Sequence, residues 1–197
     1  MSGRQTAEDR KAQIVAVVLQ IADEIGPDRL STTDVARAIG ISQPAIFRHF
    51  PTKSALWLAV AESVSERLQR DWAAAEAEAS GAHPRLKALI TAQLSAIAKT
   101  PALPSLLFSR ELQVENMALR DVFHRLLGAF QSRLIEAIRD GQATGDICDT
   151  VSPEDVASLL TSLVQGVAIR WTLGARSFSL VHEGLRLFDV QIALLRR

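Results

Sequence analysis

Residues 30–53 read LSTTDVARAIGISQPAIFRHFPTK, and this stretch decides the fold. Ser31 is a natural helix N-cap, and Asp34 three residues on answers it as in a capping box while complementing the helix dipole. Gly40 stands where a left-handed residue closes a helix of about eight residues. Ser42 is placed to cap the next helix, and Pro44 is tolerated in its first turn, where amides have no intrahelical partner. Val35, Ile39, Ile41, Ile46 and Phe50 supply an apolar seam between the two helices, and the small Ala36 lets them approach closely. Pro51 ends the second helix. The pattern is a helix-turn-helix with Gln43, Ala45, Arg48 and His49 on the outer side of its second helix, short or hydrogen-bonding groups of the kind that suit a major groove. Residues 42–53 contain Arg48, His49 and Lys53 and no acidic residue, a local basic signal.

Working outward, a helix is expected at about 6–25, with Ile14, Val18, Ile21, Ala22 and Ile25 on one face and Gly26-Pro27 as its stop. With the two short helices it makes a three-helix N-terminal domain, 1–53. A fourth helix begins near Lys53 and is expected to persist to residue 80, a span of about 42 Å at the α-helical rise, long enough to connect two domains. Further helices are expected at 84–99, 104–114, 116–140, 153–173 and 178–196, with a Gly/Asp turn at 141–149. No segment alternates with a two-residue period. The chain is therefore all-α with about nine helices, and 54–197 forms a second, helical domain.

Composition narrows the function classes. The 197 residues carry a formal net charge of zero, so any nucleic-acid contact must rest on local charge. Cys148 is the one cysteine, which excludes a disulfide framework and a thiolate metal site and fits a reducing cytosol. The chain opens polar, without the apolar core of a signal peptide. The longest uncharged apolar stretch, 156–169, has 14 residues, too few for a bilayer span. The expectation is a soluble, cytoplasmic protein without a membrane partner. There is no nucleophile–base motif, phosphate-binding glycine loop or paired-carboxylate helix, and His83, His124 and His182 lack metal-ligand spacing. No catalytic residue, metal or cofactor is expected, and an enzyme is disfavoured.

The N-terminal register resembles the DNA-binding domain of the TetR/AcrR family of transcriptional regulators. The resemblance is carried by the first helix at 10–25, Ser31-Thr32, Ala36, the Gly40-Ile41-Ser42 turn, Phe47-Arg48-His49-Phe50, Pro51-Thr52-Lys53 and Ser54-Ala55-Leu56, and it covers about the first 60 residues. It implies that Ser31, Thr32 and Thr33 offer groups to phosphates at a helix N-terminus. Ser42, Gln43, Pro44 and Ala45 would face base edges, Arg48 and His49 phosphates or bases, and Lys53 a phosphate. Phe47 stands where the family often has tyrosine. The missing hydroxyl removes one hydrogen bond worth about 0.5–1.5 kcal/mol, so Phe47 either touches the backbone or packs. Arg4 and Arg10 read as a minor-groove arm or as part of a solvated terminus.

The resemblance further implies a homodimeric repressor on a palindromic double-stranded operator, released by a small-molecule effector; a regulator without such a ligand is the alternative. The central helices carry many apolar residues and few clustered charges, which suits a mainly apolar effector. Phe108, Phe123 and Trp171 are candidate lining residues, with Arg110 and Gln113 as polar anchors. Arg110-Glu111 reads as a partly buried pair or as a solvated one. The last helix has two apolar stripes. Phe178, Val181, Leu185, Phe188, Ile192 and Leu195 form the first, Leu180, Leu187, Val190 and Leu194 the second, with His182, Arg186 and Asp189 left for water. Leu160, Leu163, Val164 and Val167 of the preceding helix join the second stripe in an expected two-fold dimer interface.

Overall fold

Apolar residues recurring every three to four positions produce a wholly helical chain. The computed structural model describes residues 6–195 and among them places ten helices. They are α1 (Ala7–Ile25), α2 (Thr32–Ile39), α3 (Gln43–His49), α4 (Lys53–Ala77), α5 (Ala82–Lys99), α6 (Ala102–Phe108), α7 (Arg110–Glu115), α8 (Met117–Thr144), α9 (Pro153–Leu173) and α10 (Leu180–Ala193). Arg4 and Arg196 lie outside the described residues.

The chain forms two compact units. The first comprises the described part of Met1–Ser65 together with Thr100–Phe123. Its centre is built by Ile14, Val18 and Ala22 of α1, Leu30, Val35 and Ala36 at α2, Ile46 of α3 and Leu56, Trp57 and Val60 of α4, all buried. Helix α1 packs on α2, α3 and α6. Ile25, expected on the inner face, is 42% exposed because the helix ends there at Gly26. The single helix expected over 104–114 is two, broken at Ser109. That residue's backbone turns extended, at ψ 106°, and its hydroxyl accepts from the Leu112 amide and donates to Asp28 in the α1–α2 loop. The extra helix over the expected count of nine comes from this break.

The second unit comprises Glu66–Lys99 and the described part of His124–Arg197. Helices α5, α9 and α10 pack on one another. Gly184 makes the close approach of α10 to α5 possible, since a Cβ there would sit 2.4 Å from Leu94 Cδ1. Helix α8 runs through Gly141 to Thr144, four residues into the expected turn. Gly141 is buried under Ile147, whose Cδ1 would lie 2.7 Å from a Cβ, so the glycine is a packing residue and the turn starts at Gly145 instead. Arg85 of α5 bonds Glu76 at 2.8 Å, Asp140 at 3.0 Å and Glu136 at 3.1 Å, and Glu76 also pairs with Arg133. Burial works against the charge on Arg85, but its hydrogen bonds to Glu76 and Glu136 outweigh it and raise the guanidinium above its ordinary value.

Helix α9 is long and apolar enough, by length and composition alone, to cross a membrane, with a mean hydropathy of 1.3. Its inner face, Val156, Leu160, Val164, Val167 and Trp171, is buried against its own unit, as in a core helix.

Candidate nucleic-acid interface

Local chemistry sets each end of α2 and α3. Ser31 Oγ accepts from the Asp34 amide at 3.2 Å, and Asp34 Oδ2 accepts from the Ser31 amide at 3.2 Å and from its hydroxyl at 2.5 Å. The expected capping box is therefore closed. The Ser31 hydrogen bonds hold the Asp34 carboxyl below the usual carboxylate range, with a smaller contribution from Arg37 at 3.7 Å. Gly40 takes up φ 76°, ψ 34°, and the Ile41 amide reaches back to the Ala36 carbonyl at 3.0 Å. The chain reverses there in the left-handed conformation that glycine adopts without strain. Ser42 has the extended backbone of an N-cap, yet its side chain makes no capping bond, contrary to expectation. At the start of α4 it is Thr52 that caps, its Oγ1 accepting from the Ala55 amide at 3.0 Å.

An advance of 100° per residue sorts α3 into two stripes. Ala45, Ile46, His49 and Phe50 face inward: Ala45 is 8% exposed, Ile46 and Phe50 are buried, and His49 is half-buried. Gln43, Pro44, Phe47 and Arg48 face outward and are exposed, with Phe47 at 39%. Ala45 and His49 were expected on the outer side with Gln43; the stripe they share with Ile46 and Phe50 turns them in. Ser31, Thr33, Ser42 and Lys53 are exposed as well. Thr32 is buried, and its hydroxyl is engaged, accepting from Gln43 Nε2 at 2.8 Å across the turn. That bond between α2 and α3 joins residues 11 apart in sequence, so no local pattern announces it.

The outward stripe thus combines an amide, an aromatic edge and the Arg48 guanidinium, with the Lys53 ammonium just beyond the helix end. Cations beside short polar groups on a helix as narrow as α3 match the donors that DNA backbones and base edges accept.

The candidate effector residues fall in both units. Phe108 at 52% exposure, Arg110, Gln113 and the buried Phe123 belong to the first. Arg110 and Glu111 are both exposed, which is the solvated reading of that pair, and Gln113 Nε2 donates to the Leu106 carbonyl at 3.3 Å. Trp171 belongs to the second unit and spends its indole N–H on the Phe178 carbonyl at 3.0 Å. Two buried polar atoms have no hydrogen-bond partner among the described residues, Trp57 Nε1 and Asn116 Oδ1, one donor and one acceptor in the first unit. Neither was singled out from sequence, because an indole in an apolar helix and an asparagine at a helix end both read as ordinary.

Of the candidate dimer residues, Leu160, Val164, Val167 and Leu180 are at most 3% exposed within the chain's own unit. Leu163 and Leu187 are half-buried, while Val190 and Leu194 are 52% and 81% exposed. On α9, Leu159, Ile169 and Leu173 are also exposed, at 54%, 39% and 82%.

Comparison with known proteins agrees with this geometry. Residues 14–60 match the family described as bacterial regulatory proteins, tetR family. Residues 82–185, more than half of the chain, match the family described as BetI-type transcriptional repressor, C-terminal. The chain belongs to the TetR family of DNA-binding transcriptional regulators. Among curated relatives, the nucleoid occlusion factor SlmA of Vibrio vulnificus (strain YJ016) is 23% identical over 166 residues, 84% of this chain and 85% of the relative. Among solved structures, a Saccharomonospora viridis transcriptional regulator in complex with choline shares 22% identity and a TM-score of 0.82, covering 92% of this chain and 95% of that one. The regulator FadR of Bacillus subtilis, in complex with stearoyl-CoA, shares 17% identity and a TM-score of 0.77, covering 92% and 97%.

Proposed function

We propose that this regulator is a cytoplasmic homodimeric repressor that leaves a palindromic operator when it binds a small, mainly apolar molecule. The observation that carries the DNA half is the outward stripe of α3, exposed and free of acidic residues beside Arg48 and Lys53. In this reading Gln43, Pro44 and Ser42 face base edges, Ser31, Thr33 and Lys53 meet phosphates, and Arg48 serves either, while the half-buried His49 belongs to the inner stripe. Ala45 and Thr32 support the stripe from within instead of touching DNA. Phe47 packs against the sugar–phosphate edge. Residues 1–53 act as the reading head and 54–197 as the part that senses and dimerises. No catalytic step is assigned.

The dimer half rests on the apolar surface left on two helices that already pack together, Leu159, Leu163, Ile169 and Leu173 of α9 with Leu187, Val190 and Leu194 of α10. Several large side chains half to four-fifths exposed on one helix pair are more than a monomer surface usually tolerates. Leu160, Val164, Val167 and Leu180 are then the inner layer on which that surface is mounted.

The effector half has support in the first unit, where Phe108 and Phe123 supply apolar surface and Trp57 and Asn116 supply a donor and an acceptor without a partner among the described residues. The neighbours solved with choline and with stearoyl-CoA show the same fold holding very different molecules, so the fold alone does not choose the ligand. A thermal-shift screen of small hydrophobic compounds, followed by operator release in a gel-shift titration, tests this. Compounds that both raise the melting temperature and release DNA support the proposal. A screen in which no compound changes operator affinity favours a regulator without a small-molecule effector.

A further inference from the structure

Glutamine can read a base edge in more than one way. Its amide offers two N–H donors on Nε2 and two lone pairs on Oε1, and rotation lets it present donors, acceptors or one of each. In this protein the amide is tied. Nε2 donates to Thr32 Oγ1 at 2.8 Å, and Thr32 is 8% exposed, held in the first turn of α2 behind the Ser31 cap. One N–H is thereby spent inside the protein, and what remains is one N–H and the whole of Oε1.

That remainder has a definite complement. Adenine presents one acceptor, N7, beside one donor, the N6 amino group, and so takes both remaining groups at once. Guanine presents two acceptors, N7 and O6, and could use only the single free N–H. Cytosine and thymine each offer one group to match. We propose that Thr32 is a specificity-positioning residue that fixes the Gln43 amide and makes it a reader of adenine. The inference rests on the assignment of Gln43 to a base edge given above and adds which base is read and what enforces it. Because the side chain is anchored before DNA arrives, its rotamer freedom is already lost, and the bond to the base is not weakened by ordering it.

The test is equilibrium binding to the protein's best site, found by selection from a random duplex library, with each of the four base pairs placed in turn at every position. Four proteins are compared: the unaltered chain, Gln43→Ala, Thr32→Val and Thr32→Ser. Gln43→Ala is expected to flatten the preference at one base pair per half-site, and at that pair the unaltered protein is expected to prefer A·T by about ten-fold. Thr32→Val keeps the side-chain shape but removes the acceptor, so the A·T to G·C ratio should fall several-fold. Thr32→Ser keeps a hydroxyl and should restore it. A G·C preference at the Gln43-dependent pair overturns the proposal, since it requires the reversed amide with both N–H groups outward. That result is read on the unaltered protein and does not depend on any variant folding. A Thr32→Val protein that loses affinity for all four sites equally, with the ratio intact, also overturns it. If Gln43→Ala changes preference at no position, the assignment of Gln43 to a base fails, and this inference fails with it.

Discussion

Replacing Val190 with glutamate separates the proposed dimer surface from the protomer's own core. Val190 is 52% exposed on α10, so about half of its side chain is left for a partner to cover. Full burial of a valine is worth about 1.5 kcal/mol at the low end, which gives roughly 0.8 kcal/mol per copy and about 1.5 kcal/mol for a two-fold pair. Two carboxylates forced into the same interface add a desolvation cost of about 3 kcal/mol or more. The sum, about 4–5 kcal/mol, raises the dimer dissociation constant by roughly a thousand-fold. The isolated protomer should barely notice, since surface substitutions usually fall within about 0.5 kcal/mol. Leu187→Glu, on the same stripe, is less clean because Leu187 is half-buried and its loss weakens the protomer too. Light scattering across a dilution series, alongside helical circular dichroism, reads both quantities. A Val190→Glu protein that remains dimeric at micromolar concentration refutes the assignment of this surface. One that is monomeric but unfolded refutes the claim that Val190 is peripheral to the core.

Other consequences can be checked on the same material. At Gly40, where φ is 76° and a Cβ would meet no heavy atom within 4 Å, alanine should cost about 1 kcal/mol by conformation alone, measured by thermal unfolding. A loss several times larger would mean that the turn is also a packing contact. Glu183 is held at about 2, from an ordinary 4.5, chiefly by its hydrogen bonds to Arg186 and with help from Arg170. Its folded value lies below its unfolded one, so its stabilisation is complete above about pH 4.5 and is lost as the pH falls toward 2. Glu183→Gln should accordingly lower stability at neutral pH and flatten the loss between those values, which denaturant melts at several pH values would reveal. An unchanged pH profile would show that the pair does not differ between folded and unfolded states. Lys53→Ala should weaken binding to every DNA sequence alike and reduce the salt slope by about one unit, the signature of one lost phosphate contact.

Much of this architecture could be read where the signals are local. Ser31, Asp34 and Gly40 fix α2 at Thr32–Ile39 by capping chemistry contained within ten residues, and the bounds agree with the reading from sequence. The break between α6 and α7 was hidden because Ser109 has neither glycine nor proline beside it, and its hydroxyl is recruited by Asp28, 81 residues away. Gly141 looked like a helix stop and is instead a seat for Ile147, a distinction that depends on a neighbour outside its own helix. Ala45 shows the opposite case. Its inward direction was recoverable from the spacing to Ile46 and Phe50, but its small size made it look suited to a groove. Thr32 was read from the resemblance as a phosphate contact, and only the fold reveals that its hydroxyl is turned toward Gln43. On α10, periodicity found two apolar stripes and placed Leu180, together with Leu160, Val164 and Val167 of α9, in the partner-facing one. The fold leaves those four at most 3% exposed, because spacing along one helix does not say which neighbours of the same chain will cover it.

The central claim is that two copies of the α3 stripe read one operator. The most direct measurement is selection of the full-length protein against a random duplex library, followed by salt titration on the winning sequence. The account predicts a palindromic site whose half-sites lie about 34–36 Å apart, one turn of the double helix, or a multiple of it. Affinity should fall steeply with salt and depend on the base pair facing Gln43. Enrichment of no sequence, or of single half-sites bound by one copy with no dependence on Gln43, would contradict it.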